Sequence, residues 1–207
     1  MNNYVTYLEE TLPQKDSLKL VKTEAKKFYQ SNPPEECLEM GYTLYGSENF
    51  QIQEIGVFLL GYCAHAFPDA QVFLRDKVSL HKNWKVQEIL AMAFDSHCKM
   101  IGYEQALPLI REWMESDNAN VRRAASEGLR VWTGRPYFKE NPGIAVEILA
   151  SRREDASEKV RKSVGNALRD ISRKHPQLVA AELAKWDLSS RKVQEVYQLA
   201  GKYLYVK

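Results

Sequence analysis

A chain of 207 residues with 44% hydrophobic and 27% charged side chains is long enough to bury a core, and its mixed composition excludes a low-complexity or disordered class. No apolar run approaches the ~20 residues of a membrane span. The first ten residues lack the basic start and apolar stretch of a secretory signal. The three cysteines, Cys37, Cys63 and Cys98, form no C-x-x-C pair and leave an odd thiol, a pattern that suits a reducing cytoplasm. Net charge is +2, yet residues 1–105 carry 10 Lys+Arg against 14 Asp+Glu, whereas residues 106–207 carry 19 against 13. This asymmetry predicts an anionic partner for the second half. The expectation is a cytoplasmic monomer with no membrane contact.

In chain order, residues 1–33 read as an N-terminal helical cap, whose Lys19, Lys22, Lys26 and Lys27 form either a solvated face or an added phosphate contact. Residues 34–207 read as amphipathic helices separated by polar, Gly- or Pro-containing connectors such as Ser31-Asn32-Pro33-Pro34, Ser116-Asp117-Asn118, Gly134-Arg135-Pro136 and Lys174-His175-Pro176. A short phrase recurs after the connectors: Ile52-Gln53-Glu54, Val86-Gln87-Glu88, Val121-Arg122-Arg123, Val160-Arg161-Lys162 and Val193-Gln194-Glu195. Its steps of 34, 35, 39 and 33 residues predict stacked helix pairs. A β-branched residue and a charge near the start of each second helix suit HEAT-like repeats. The predicted fold is therefore all-α: a HEAT-like solenoid of about five helix pairs behind the cap. It would form a single curved domain, 1–207, with a concave basic surface.

Helical spacing sorts the side chains. Val86, Ile89, Leu90, Ala93 and Phe94 share one face of their helix, with Trp84, Glu88 and Asp95 opposite. In the next repeat Val121, Ala124, Ala125, Gly128, Leu129 and Trp132 form the core stripe, while Arg123, Glu127 and Arg130 face outward. Further on, Val160, Val164, Ala167, Leu168 and Ile171 point inward; Lys162, Asn166, Arg169 and Arg173 point outward, with Asp170 on the flank.

Basic side chains on a helical surface suit a phosphate backbone. The candidates for contact with a nucleic-acid backbone are Arg122, Arg123, Arg130, Arg161, Lys162, Arg169, Arg173 and Lys174. Trp84 can stack on a base or sugar, and Glu88, one helical turn away, can stabilise positive charge developing on a sugar ring. The alternative is an indole packed under a neighbouring loop beside a solvated carboxylate. His65, His81, His97 and His175 show no ligand spacing beyond the adjacent His97-Cys98, so no metal is expected. The phosphate-loop, dinucleotide and serine-hydrolase motifs are missing, and no cofactor is expected.

Two phrases add a resemblance. Val121-Arg122-Arg123-Ala124-Ala125-Ser126-Glu127-Gly128 resembles a phrase of the AlkC branch of the DNA alkylation repair proteins, as does the stretch from Val160 to Pro176. The spacing of Trp84 and Glu88 resembles the Trp–acid element of the wider AlkD/AlkC group. This implies a HEAT-like alkylpurine DNA glycosylase fold, a partner in alkylated or distorted duplex DNA and a nucleoid-associated location. It also implies excision of N3- or N7-alkylated purines without metal or lysine nucleophile. By motif, Trp84, Glu88, Glu127 and Asp170 become the candidate catalytic residues, and Arg122, Arg123 and Arg161 backbone contacts. The sequence departs from the AlkC branch after Gly128, and Arg169 stands where that branch has asparagine. Three readings stay open: a glycosylase, a compact paralogue that binds distorted or branched DNA without excision, and a protein-interaction scaffold.

Overall fold

The computed structural model describes residues 2–13 and 15–204. Among them there are thirteen α-helices, three short 3-10 turns and no strand. The chain divides into two compact units, Met1–Ile101 and Gly102–Lys207. The first holds α1 (Asn2–Thr11), α2 (Leu18–Ser31), α3 (Pro34–Tyr45), α4 (Phe50–Cys63), α5 (Pro68–Asp76) and α6 (Trp84–Ile101). The second holds α7 (Leu107–Glu115), α8 (Ala119–Gly128), α9 (Pro136–Glu140), α10 (Pro142–Ala150), α11 (Glu158–Ser172), α12 (Pro176–Leu183) and α13 (Arg191–Ala200).

The repeated phrases sit at the start of α4, α6, α8, α11 and α13, and each of these helices is the second of a pair. The long step of 39 residues between Val121 and Val160 is explained by α9, an extra short helix before α10. The two helices of a pair begin differently. Pro34, Pro68, Pro142 and Pro176 open α3, α5, α10 and α12, and Pro108 is the second residue of α7. Proline fits there because its missing N–H would be unbonded at a helix start in any case.

The second helices begin with a repeated turn that gives the phrase its physical meaning. The Gln or Arg after each aliphatic residue donates to the backbone carbonyl six residues earlier. Gln53 reaches Ser47 O at 2.6 Å, Arg122 reaches Ser116 O at 2.7 Å, Arg161 reaches Asp155 O at 2.8 Å and Gln194 reaches Leu188 O at 2.6 Å; Gln87 bonds His81 O in the same way. In four of the five turns the residue providing that carbonyl also accepts, through its side chain, the N–H two residues on: Ser47 from Asn49, His81 from Asn83, Ser116 from Asn118 and Asp155 from Ser157. The turn thus ties the end of one helix to the start of the next without leaving its polar backbone unbonded.

In the first unit α4 packs against α2, α3, α5 and α6, so it is buried on nearly all sides, and after Glu54 it reads as almost wholly apolar from Ile55 to Cys63. Glycines permit the close approach. A Cβ on Gly61 would lie 2.6 Å from Cα and Cβ of Ala93 on α6, and one on Gly56 would lie 2.7 Å from Gly41 O of α3. In the second unit α11 takes the central place, packed by α8, α10, α12 and α13. The aliphatic stripes expected from helical spacing on α6, α8 and α11 are buried. One boundary differs. Trp132 is buried, but it opens a 3-10 turn, Trp132–Gly134, after α8 has ended at Gly128. Its indole N–H returns to Ser126 O at 3.1 Å, which anchors the ring to the core without helical geometry.

Candidate functional site

Arg122 and Arg161 overturn the sequence expectation. Both guanidinium groups are buried and bind within the protein. Arg122 Nε and Nη2 donate to Asp155 Oδ2 and Oδ1 at 2.6 and 2.8 Å, and Nη1 donates to the carbonyls of Ser116 and Asp117. Arg161 Nε and Nη2 donate to Glu195 Oε2 at 3.1 and 2.8 Å, and Nη1 to the carbonyls of Asp155 and Ala156. Each acid lies one repeat further along the chain, so the two arginines form a ladder from α8 through the α10–α11 turn to α13. A fork with its donors spent on a carboxylate and helix-end carbonyls is a structural clamp, and these bonds take up the donors that the sequence reading assigned to phosphate. The Asp155 carboxyl would be pushed up by burial, but the bonds from Arg122 and from Ser157 N–H outweigh that and hold it below the ordinary aspartate range.

The structure does bring Glu127 and Asp170 into one network, through Arg130. Arg130 Nε donates to Asp170 Oδ2 at 2.8 Å, and Nη1 lies 3.4 Å from Glu127 Oε2. The other Glu127 oxygen accepts from Ser163 Oγ at 2.7 Å, and Arg169 Nη2 lies 3.6 Å from the other Asp170 oxygen. Two carboxylates are therefore matched by two guanidinium groups. Arg130 is held between the two acids, a place at odds with its expected role as a phosphate contact. Ser163 was not singled out in the sequence, although it lies one turn after Val160, on the same helix as Asp170.

The remaining cations of the expected set differ among themselves. Lys162 is exposed and pairs with Glu158 one turn earlier, while Arg123 is half-buried on α8. Arg173 and Lys174 are exposed at the end of α11; Arg173 donates to Tyr203 Oη at 2.6 Å and lies over that ring at 4.6 Å. Lys174 has no ion pair among the described residues.

Trp84 and Glu88 belong to the first unit, at the start of α6. The Trp84 side chain is 63% exposed and Glu88 is half-buried, so the indole stands off the buried stripe as the helical wheel predicts. Between them, Lys85 reaches Asp16 at 2.8 Å and lies over the Phe50 ring at 4.6 Å. Glu54 holds the same repeat position as Glu88 but is buried, and one carboxylate oxygen has no hydrogen bond. Burial, assisted by the nearby Asp16 charge, raises its pKa to about 7. Helical spacing does not reveal this burial, because it comes from the connector after α1, which Gln51 holds against the first repeat by bonding Pro13 O and Ser17 N. No group of three or more His, Cys, Asp or Glu suited to a metal occurs among the described residues.

A sequence profile of the family described as DNA alkylation repair enzyme matches residues 17–201. The chain belongs to the DNA alkylation repair family. It is similar to the crystal structure of AlkD2 from Streptococcus mutans, with 47% identity, 99% of each chain covered and a TM-score of 0.95. YhaZ of Bacillus subtilis (strain 168), described as an uncharacterized protein, is 37% identical over 91 residues, which are 42% of this chain and only 26% of that relative. The fold is also shared with the Pseudomonas fluorescens alkylpurine DNA glycosylase AlkC bound to DNA containing an abasic site analog. There the identity is 22%, the TM-score 0.58, and the match covers 84% of this chain and 48% of that one. The helical-repeat architecture of the family is thus the architecture of this chain.

Proposed function

We propose that this chain binds DNA through the cationic end of α11 in its second unit and does not excise alkylated bases. The Glu127–Arg130–Asp170 network carries this reading. An acid that favours an oxocarbenium-like transition state must present uncompensated negative charge to the sugar. Here both oxygens of Asp170 face guanidinium groups, and both oxygens of Glu127 are engaged by Ser163 and Arg130. Exposed Arg173 and Lys174, together with the excess of 19 basic over 13 acidic residues in 106–207, supply the attraction for a phosphate backbone. Family membership and the DNA-bound state of the AlkC relative agree with DNA as partner.

The second reading, excision, is favoured by a different observation: the exposed Trp84 indole one turn from Glu88. Release of 3-methyladenine and 7-methylguanine from methylated duplex separates the two. The preferred reading expects duplex binding without release. If release occurs and Glu88→Gln abolishes it while duplex affinity is retained, the second reading replaces the first.

A further inference from the structure

The first unit contains a cleft that the DNA-binding surface of the second unit does not use. Its volume is about 640 Å³, within the ~300–1,000 Å³ range of small-ligand sites, and it is bounded by the α3–α4 connector, α5 and the turn before α6. The aromatic side chains there are held in place by one another. Phe73 meets the edges of Tyr42 and Tyr45 at 5.0 and 5.1 Å between ring centres, and Tyr45 in turn meets His81 at 5.6 Å. Across the same cleft lies Phe50. Its ring carries Lys85, which is fixed by Asp16. Lys77 and Lys82 stand exposed on the rim and make no ion pair among the described residues. Leu80, between them in sequence, is 67% exposed.

The cleft therefore combines fixed aromatic surface with two exposed ammonium groups that make no ion pair among the described residues, in a space too small for a helix or a duplex. Aromatic faces capture a base only when it is unstacked, and lysines supply charge to the phosphate on either side of it. We infer that this cleft of the first unit takes one unpaired nucleotide of a DNA strand, its base against Phe50 and the Tyr45–Phe73 wall and its flanking phosphates on Lys77 and Lys82. Glu48, also in the lining, gives acceptor oxygens for a base edge. The choice of a nucleotide as occupant rests on the DNA-binding reading above. The consequence is a preference for DNA that offers single-stranded bases, such as gaps, forks or tails, over continuous duplex.

The test uses the full chain and two fluorescein-labelled probes, an oligothymidylate strand and a blunt duplex, with anisotropy read across a salt series. Lys77→Glu/Lys82→Glu is expected to weaken strand binding at least tenfold, and to reduce the salt slope by about 1.4 for two lost single-strand phosphate contacts. Duplex affinity should stay within twofold. Phe50→Leu, which keeps an apolar side chain, is expected to weaken strand binding about fivefold or more, with circular dichroism confirming the fold. Binding of the strand that neither variant changes would overturn the inference, as would duplex binding with no strand binding at low salt. Strand binding that the lysine variant removes, without any duplex binding, would support the cleft and overturn the reading of the second unit. If neither probe binds, both fall.

Discussion

Replacement of Arg122 by methionine removes a guanidinium whose four hydrogen bonds reach Asp155 twice and the carbonyls of Ser116 and Asp117. The flexible methionine can occupy the space of the arginine stem, so the main loss is the charge. Asp155, with its side chain 3% exposed, would be left buried with the Ser157 N–H as its remaining donor. Stranding one member of a buried pair costs about 3–5 kcal/mol. Arg161→Met is the internal comparison, because its partner Glu195 is 40% exposed and water can take over. That variant should cost about 1–2 kcal/mol, near the worth of hydrogen bonds to a charged group. Urea unfolding followed by far-ultraviolet circular dichroism measures both. A thermal midpoint lower by roughly 6–20 °C is expected for Arg122→Met, at ~2–4 °C per kcal/mol for a chain of this size. Adding Asp155→Asn keeps an acceptor for Ser157 N–H while removing the stranded charge, so the double variant should be more stable than Arg122→Met alone. Both variants should bind DNA like the parent protein while folded. A cost below about 1 kcal/mol for Arg122→Met would refute the clamp, because a buried unpaired carboxylate is expected to cost several times that. A loss of DNA affinity in the folded variant would return Arg122 to the phosphate contacts expected from the sequence.

Other outcomes follow from the same physics. Asp155 is held below the ordinary aspartate range, so its contribution to stability is present above the unfolded value near pH 4 and is lost as pH falls through the folded value; the acid limb of a stability–pH curve should flatten in Arg122→Met. Glu54 has the opposite sign. Its folded pKa is raised to about 7, so its ionisation weakens the fold increasingly from the unfolded value near 4.5 up to about pH 7. Glu54→Gln should therefore stabilise the protein by on the order of 2 kcal/mol at pH 8 and far less at pH 5, measured by urea midpoints. Gly61→Ala would force a Cβ to 2.6 Å from Ala93 and should destabilise by about 1–3 kcal/mol. Gly143→Ala in α10, where a Cβ would meet nothing within 4 Å, should be neutral or stabilising by up to ~1 kcal/mol in thermal unfolding. Arg173→Gln/Lys174→Gln should weaken duplex binding and flatten its salt slope by about 1.8, two contacts at ~0.9 each; an unchanged slope in anisotropy titrations would remove α11 from the interface.

The helical architecture was legible because it is written in spacing. The phrase at 52, 86, 121, 160 and 193 marks five second helices, and the prolines mark the helices before them. Burial of the Val160–Ile171 stripe follows from a period that only a helix satisfies. What spacing could not show is where the end of a long polar side chain goes. Arg122 and Arg123 are adjacent and chemically identical, yet a rotation of ~100° sends Arg122 into a clamp with an acid 33 residues away. The Gln/Arg alternation after each aliphatic residue held a clue, since Gln and Arg share an N–H donor at the end of a long arm but do not share a charge. A position that accepts either uses the donor for structure. Glu54 and Glu88 occupy the same repeat position, and only the connector folded over the first repeat makes one buried. Trp132 was assigned to the right core by the wrong element, because an aromatic residue four positions after Gly128 continues a helical stripe even when the helix has stopped.

The most direct test of the central claim is single-turnover incubation of methylated duplex DNA with the full chain, at a protein concentration where anisotropy shows the duplex bound. The neutralised Glu127–Arg130–Asp170 network predicts that 3-methyladenine and 7-methylguanine are released no faster than from the same DNA without protein. Protein-dependent release from the bound duplex would contradict it.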